Sequence, residues 1–380
     1  MTTSMETKIT FLRNTYRTAV GLVAVAALVL GTLAFAPPTA ALAGLPIGPP
    51  VGVRVRTALI ARTTGARLPT AGPDAAPPGE LTLNYARQVF DTFAITDEVA
   101  RAAADESLEL SLVSEAQAPL TVSAYEQADY TGTPAPAYRY GTPALYVPQM
   151  KSFPLWFVAV APRIPARGGP TRTAIMVFSR PAVADSWQLS LSTLVAPGAA
   201  VPEIAMGAGG HASALATFDH GLIISPNSVG ALQAAVADDG RDAAAAGVVA
   251  AGPYTTGIYD QIKAATRHAT QPGLSYDSQL QGSTYPLYAL GTSDGGALVL
   301  YSLTLNTIIK RTAQNRQIQI PPAFAPILYA TGRLLIQSEL DTGQTYQYAA
   351  EVPPSQPTGQ PSGLMRVIAS DGGPTSAGGD

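Results

Sequence analysis

The chain has 380 residues, 47% hydrophobic and 13% charged, with a formal net charge of -3. That length suits two ordinary domains, and the composition is too apolar for intrinsic disorder. With no cysteine and three histidines, it excludes disulfides, thiolate metal sites, thiol catalysis and acylation on cysteine, and leaves little material for histidine ligation.

The amino terminus carries a targeting pattern. Lys8, Arg13 and Arg17 precede the apolar run Ala19 to Ala36, and Ala41-Leu42-Ala43 supplies the small residues of a cleavage site. Residues 1–43 therefore read as a secretory signal. Left uncleaved, the same run approaches the ~20 residues that span a bilayer, and its basic end would stay inside. Both readings export the body of the protein and make the membrane a partner only if the segment is retained. Residues 44–79, rich in Gly, Pro, Ala and Thr, read as an extended linker whose Arg54, Arg56, Arg62 and Arg67 make it basic. The basic residues elsewhere are scattered, with no aromatic-interleaved stripe, which argues against nucleic acid as a partner.

A first module is expected over 80–196. Tyr85, Val89 and Phe93 recur at i, i+4, i+8 in an amphipathic helix over Leu81 to Ala94. Thr96 resembles the N-cap of a second helix running toward Leu108 and Leu112, and a third spans Pro119 to Ala128. Asp91, Asp97, Glu98, Asp105, Glu106 and Glu109 form an acidic cluster. Paired carboxylates could serve acid/base chemistry or bind a cation, but at exposed helical positions they read as a solvated face. After a tyrosine-rich loop with Tyr125, Tyr130, Tyr138 and Tyr140 come three strands of an antiparallel meander. Leu155 to Ala161, bounded by prolines, reads as buried on both faces, and Thr173 to Arg180 follows a Gly-Gly-Pro turn. In Trp187 to Leu194, Trp187, Leu189 and Leu191 alternate with Gln188, Ser190 and Ser192, the pattern of a strand with one wet face.

Residues 197–224 read as a connection, and a second module is expected over 225–352. Ser225-Pro226 opens a helix with Val229, Leu232 and Val236 on one face, closed by Asp238-Asp239-Gly240. Another helix starts near Pro253, carries Ile258, Ile262 and Ala265, and stops at Gln271-Pro272-Gly273. Strands are expected near Leu328 to Glu339 and Thr345 to Val352. The Pro/Gly/Ser-rich tail 353–380 reads as disordered.

Two passages echo each other. Phe153-Pro154-Leu155-Trp156, a Gly-Gly turn and Ala174-Ile175-Met176-Val177-Phe178-Ser179 recur as Tyr285-Pro286-Leu287-Tyr288, a Gly-Gly turn and Ala297-Leu298-Val299-Leu300-Tyr301-Ser302. The fold class is therefore α+β: two related modules, each with helices packed on a curved antiparallel sheet. Helices followed by such a sheet resemble the cystatin-like, nuclear-transport-factor-like cone. The run Phe153 to Ala159, the strand Val177-Phe178-Ser179-Arg180, the helix start Ala251-Gly252-Pro253 and the hairpin Tyr285 to Val299 resemble an uncharacterised family of exported actinobacterial proteins, often labelled lipoproteins, that carries a domain of unknown function. The resemblance covers about 79–352 and implies an envelope location and no particular activity. This chain departs from it in having no lipobox cysteine.

Residues that could carry chemistry are sparse. The stretch Gly207 to Ser213 and the pair Asp219-His220 are the only material for a hydrolase, and there is no G-x-S-x-G elbow and no phosphate-loop or dinucleotide pattern. His268 lies near a helix end, where a cation suits the dipole. Trp156, Trp187, Tyr285 and Tyr288 are the candidate ligand-binding residues: large aromatic side chains that pack the core or line an apolar pocket. The expected function is a non-catalytic extracytoplasmic envelope protein that binds a ligand or a protein partner, with no catalytic residue, metal or cofactor. The alternative is a hydrolase or isomerase using His211 or His220 with an acid.

Overall fold

The computed structural model describes residues 81–207, 209–269, 273–314, 316–333, 335–355 and 363–380. The signal or anchor of 1–43 and the linker of 44–79 lie outside the described residues, as does the side chain of His268.

Helix α1, Leu83–Ala103, is capped by the Thr82 hydroxyl, which accepts from the Tyr85 amide, and it ends at Ala104 in the left-handed region. It runs through the boundary expected at Thr96. The Thr96 hydroxyl donates back to the Thr92 carbonyl at 2.7 Å, so it is not free to cap a new helix. The buried stripe also sits one residue further on than the sequence suggests. Ala86, Phe90, Phe93, Asp97 and Ala100 face inward, while Tyr85 is exposed. Helices α2, Glu106–Ser111, and α3, Gln117–Thr131, follow.

The first sheet is a meander of β3 (Leu155–Pro165), β4 (Arg172–Arg180) and β5 (Gln188–Leu194), with the short strands β1 (Tyr138–Tyr140) and β2 (Ala144–Tyr146) both paired along β3. After α4 (Val229–Asp239) and α5 (Thr256–Ala269), the second sheet repeats this plan. Strands β6 (Leu274–Gly282) and β7 (Tyr288–Gly291) both pair along β8 (Ala297–Arg311), which continues into β9 (Glu339–Val352) and β10 (Arg366–Gly379). All named pairings are antiparallel. Each half thus has helices, a broken edge strand and three meander strands. In that plan β8 corresponds to β3 and β7 to β2, so the sequence echo, which set β7 against β3, is offset by one strand.

Strand alternation explains the layering. On β3 and β4, Phe157, Ala159, Met176 and Phe178 face α1, whereas Val158, Ile175 and Val177 face the second sheet. On β8, Leu298 and Leu300 meet them, while Val299 and Tyr301 face α4. Two sheets therefore pack face to face with helices outside, and β3 and β4 are apolar on both faces because both are covered. Each large side chain buried this way contributes roughly 1.5–3 kcal/mol. A bridge from Val195 to Ala369 joins the β5 and β10 edges. On the opposite side, the connecting segment pairs Ala214 with Leu290 of β7 and Ala212 with Pro148.

Three expectations are corrected. The polar side of β5 is dry: Ser190, Ser192 and Thr193 are buried. A bulge at Ser190 lets Leu191 oppose Val177 and Leu189 oppose Phe178, which turns the two leucines to opposite faces. Leu328 lies in helix α6, Ala325–Ala330, ahead of β9. The tail is not disordered over 366–379, where it forms β10 along the full length of β9. Its glycines permit this approach, since a Cβ on Gly379 would lie 2.2 Å from the Glu339 carbonyl oxygen.

Candidate inter-module cavity

Helix α3 belongs to the first half by sequence, yet it packs on β5, β10 and α6, across the corner where the two sheets join. Beneath it lies a cavity of about 390 Å³ walled by both halves: α1, α3, β1 and the end of β3 on one side, α5, β6, β9 and β10 on the other. That volume is in the range that holds a small molecule. Its polar end is built on α1. Arg101 sits four residues after Asp97, so both project from the same helix face. The guanidinium pairs with Asp97 at 2.8 Å and with Glu109 of α2 at 2.6 Å, and donates to the Pro136 carbonyl at 2.9 Å. Asp97 and Glu109 are 1% and 0% exposed, so the acidic cluster splits: Asp91, Glu98, Asp105 and Glu106 are the solvated face expected, and these two are not.

Two buried carboxylates share one guanidinium. Burial pushes the Glu109 carboxyl up, opposed by Arg101, and the neighbouring Asp97 carboxylate pushes it further. Burial alone would lower Arg101, but the two carboxylates hold its proton more firmly than usual. Asp97 Oδ2 and Glu109 Oε2 have no other hydrogen-bond partner, which fits a carboxyl–carboxylate contact that shares one proton.

A second ion pair crosses between the halves, Arg163 of β3 with Asp371 of β10 at 3.0 Å. The Tyr138 ring stacks under it, with the Arg163 guanidinium 4.4 Å from the ring centroid. The floor is aromatic: Tyr348 has ring neighbours Tyr346 at 6.1 Å and Tyr254 at 6.4 Å. Burial pushes the Tyr140 and Tyr348 hydroxyls above their ordinary range. Ser192 lines the cavity with its hydroxyl buried and unpartnered, while its amide donates to the Gln347 side chain.

Trp156, Trp187, Tyr285 and Tyr288 do not line this cavity. Trp156 packs on Tyr288, with centroids 5.3 Å apart, at the inter-sheet core, where the Tyr288 hydroxyl donates to Glu115 at 2.8 Å. Trp187 lies on the other face, against Phe157 and Tyr85, and Tyr285 is half-buried beside β7. His211 and His220 lie in the connecting segment and do not line the cavity either. Among the described residues, no group of three or more His, Asp or Glu could hold a metal ion, and no helix is long and apolar enough to cross a membrane.

The fold and cavity define an α+β protein of two sheet modules enclosing a small-molecule-sized space at their junction. The chain belongs to the family described as Domain of unknown function (DUF8094), whose family model matches residues 78–379. It is 31% identical over 158 residues to an uncharacterized lipoprotein of Streptomyces avermitilis, covering 41% of this chain and 44% of that protein. It is 29% identical over 225 residues to an uncharacterized lipoprotein of Streptomyces coelicolor, covering 58% of this chain and 62% of that one. The chain thus matches about half the length of these curated relatives. No solved structure matches it.

Proposed function

We propose that this is an extracytoplasmic envelope protein that binds a small ligand in the cavity between its two modules. One observation carries the binding role. Both halves contribute walls to a space of about 390 Å³, and the buried Ser192 hydroxyl that lines it has no partner elsewhere in the protein. Such groups are costly to bury unsatisfied, and a ligand that completes them recovers that cost on binding. The extracytoplasmic location is supported by the basic-then-apolar start of the chain and by two relatives named as lipoproteins. The sequence has no cysteine to acylate, so a retained apolar segment is the means of attachment available within it.

Native mass spectrometry tests the binding role. The full chain, incubated with a soluble extract of actinobacterial envelope, is expected to carry an adduct that is lost on denaturation. Ala265→Trp, which fills the cavity from α5, is expected to remove the adduct while leaving Tm within about 2 °C, as for a side chain that points into open space. A bare mass for the unaltered chain, or an equal adduct on the Trp variant, overturns the proposal.

A further inference from the structure

Resting on the cavity being a ligand site, we infer that its ligand is an uncharged, polyhydroxylated ring compound, a neutral saccharide. The first argument is charge. The ionic side chains that line the cavity are Arg101, Asp97, Arg163 and Asp371, and they pair one to one at 2.8 and 3.0 Å. Among the described residues no lysine, histidine or glutamate lines it. The other carboxyl paired with Arg101, Glu109, does not line the cavity and is biased toward its neutral form by burial. A charged ligand would sit uncompensated in this wall or break a buried pair, at a cost of several kcal/mol. A neutral ligand does neither.

The second argument is the shape of the apolar surface. Six tyrosines and no phenylalanine or tryptophan line the cavity. Tyr346 and Tyr348 project from the same face of β9 with ring planes 29° apart, and Tyr254 borders them. Each ring offers a flat apolar face and a hydroxyl rim. A sugar ring is the matching object, with C–H groups on its face and hydroxyls around its edge.

The third argument is the hydrogen-bonding inventory. Four glutamine side chains, at 117, 127, 261 and 344, line the cavity, and each carries a donor and an acceptor. Those of Gln117 are held only by long contacts, 3.3 Å from Gln347 and 3.4 Å to Thr121. The Ser192 hydroxyl has no partner. Ligand hydroxyls both donate and accept, so they can satisfy amide and hydroxyl together. An acyl chain would strand them all. A free sugar and the end of a wall glycan share this chemistry.

Isothermal titration of the full chain tests the inference with charge-matched probes. N,N′-diacetylchitobiose and cellobiose are the neutral pair; chitobiose is the diamine of the first, and cellobiouronate the carboxylate of the second. At least one neutral probe is expected to bind with Kd of about 1 mM or tighter, and its charged counterpart about tenfold more weakly. Ser192→Ala takes a partner from no other side chain, so it is expected to leave Tm unchanged and weaken the neutral probe about fivefold. Tyr346→Ala is expected to weaken it further. Sedimentation with insoluble wall fragments, competed by the disaccharide, marks a glycan end; binding of the disaccharide without sedimentation marks a free sugar. Either result supports the inference. Tighter binding of a charged counterpart, or no heat from either neutral probe at about 10 mM, overturns it. If that occurs while the Ala265→Trp-sensitive adduct persists, the ligand class is wrong and the cavity remains the site; if the adduct is absent too, both readings fall.

Discussion

The two helix layers bury polar groups over their sheets by different chemistry. Over the first sheet, α1 holds Arg101 between Asp97 and Glu109, three ionisable groups almost sealed from solvent. Over the second, α4 holds Gln233, also fully buried, whose amide donates to the Tyr254 carbonyl at 2.7 Å and accepts from the Tyr301 hydroxyl. Both clusters tie a helix to its neighbours through bonds that apolar packing cannot supply. The neutral cluster has no proton to exchange near neutrality, because burial pushes the Tyr301 hydroxyl well above its ordinary range. The charged one sets two carboxyls against one cation, and its proton inventory depends on pH. The first half is thereby tunable in a way the second is not.

The sharpest way to break this comparison is Arg101→Met. It removes the cation and strands two buried carboxyls, along with the Pro136 carbonyl. The expected loss is about 3–5 kcal/mol in urea unfolding, the range for breaking a buried pair by deleting one partner. A loss under about 1 kcal/mol would mean that water reaches the cluster. Gln233→Leu is the matching change in the second half. It leaves the Tyr301 hydroxyl and the Tyr254 carbonyl without their partner and is expected to cost about 1–3 kcal/mol, equally at pH 5 and pH 8.

These clusters also show what a sequence reader can and cannot see. Strands β3 and β4 were legible because runs such as Ile175 to Phe178 are apolar on both faces and bounded by turn residues. The helix start at Pro226 and stop at Gly240 were legible from local chemistry alone. Strand β10 was not, since Gly372, Gly373 and Pro374 have little strand propensity, and only the partner β9 makes them a strand. Ser190 and Ser192 read as wet because burial by the other half is a long-range fact. At the site, reading by size singled out Trp156, Trp187, Tyr285 and Tyr288, none of which lines the cavity, while six other tyrosines do. Tyr138 and Tyr140 were visible as a tyrosine-rich loop without a destination. Asp97 did carry a signal: it continues the spacing of Ala86, Phe90 and Phe93, with Arg101 four residues on, and an ionic pair on an apolar stripe is a buried pair.

The smallest effect is a slope. With the Glu109 carboxyl raised from 4.5 to about 8, the folded protein keeps a proton that the unfolded chain releases at lower pH. Stability from this group is therefore fully present below about pH 4.5 and is lost as pH rises toward 8. Tyr125 and Tyr140, which face the cluster from α3 and β1, are themselves pushed up and do not titrate in this window. Other half-buried carboxyls, such as Glu115 and Asp238, are also raised and add slopes of the same sign, so a single pH profile cannot isolate Glu109. The difference between two profiles can. Glu109→Gln keeps a neutral donor toward Asp97 and removes the titration, so its stability against pH 5–8 is expected to be flatter than that of the unaltered chain, with the two curves converging or crossing toward pH 8. Gln233→Leu is expected to run parallel to the unaltered chain throughout. Parallel curves for Glu109→Gln as well would show that the carboxyl pair holds no extra proton, and the contrast between the two helix layers would then be one of geometry alone.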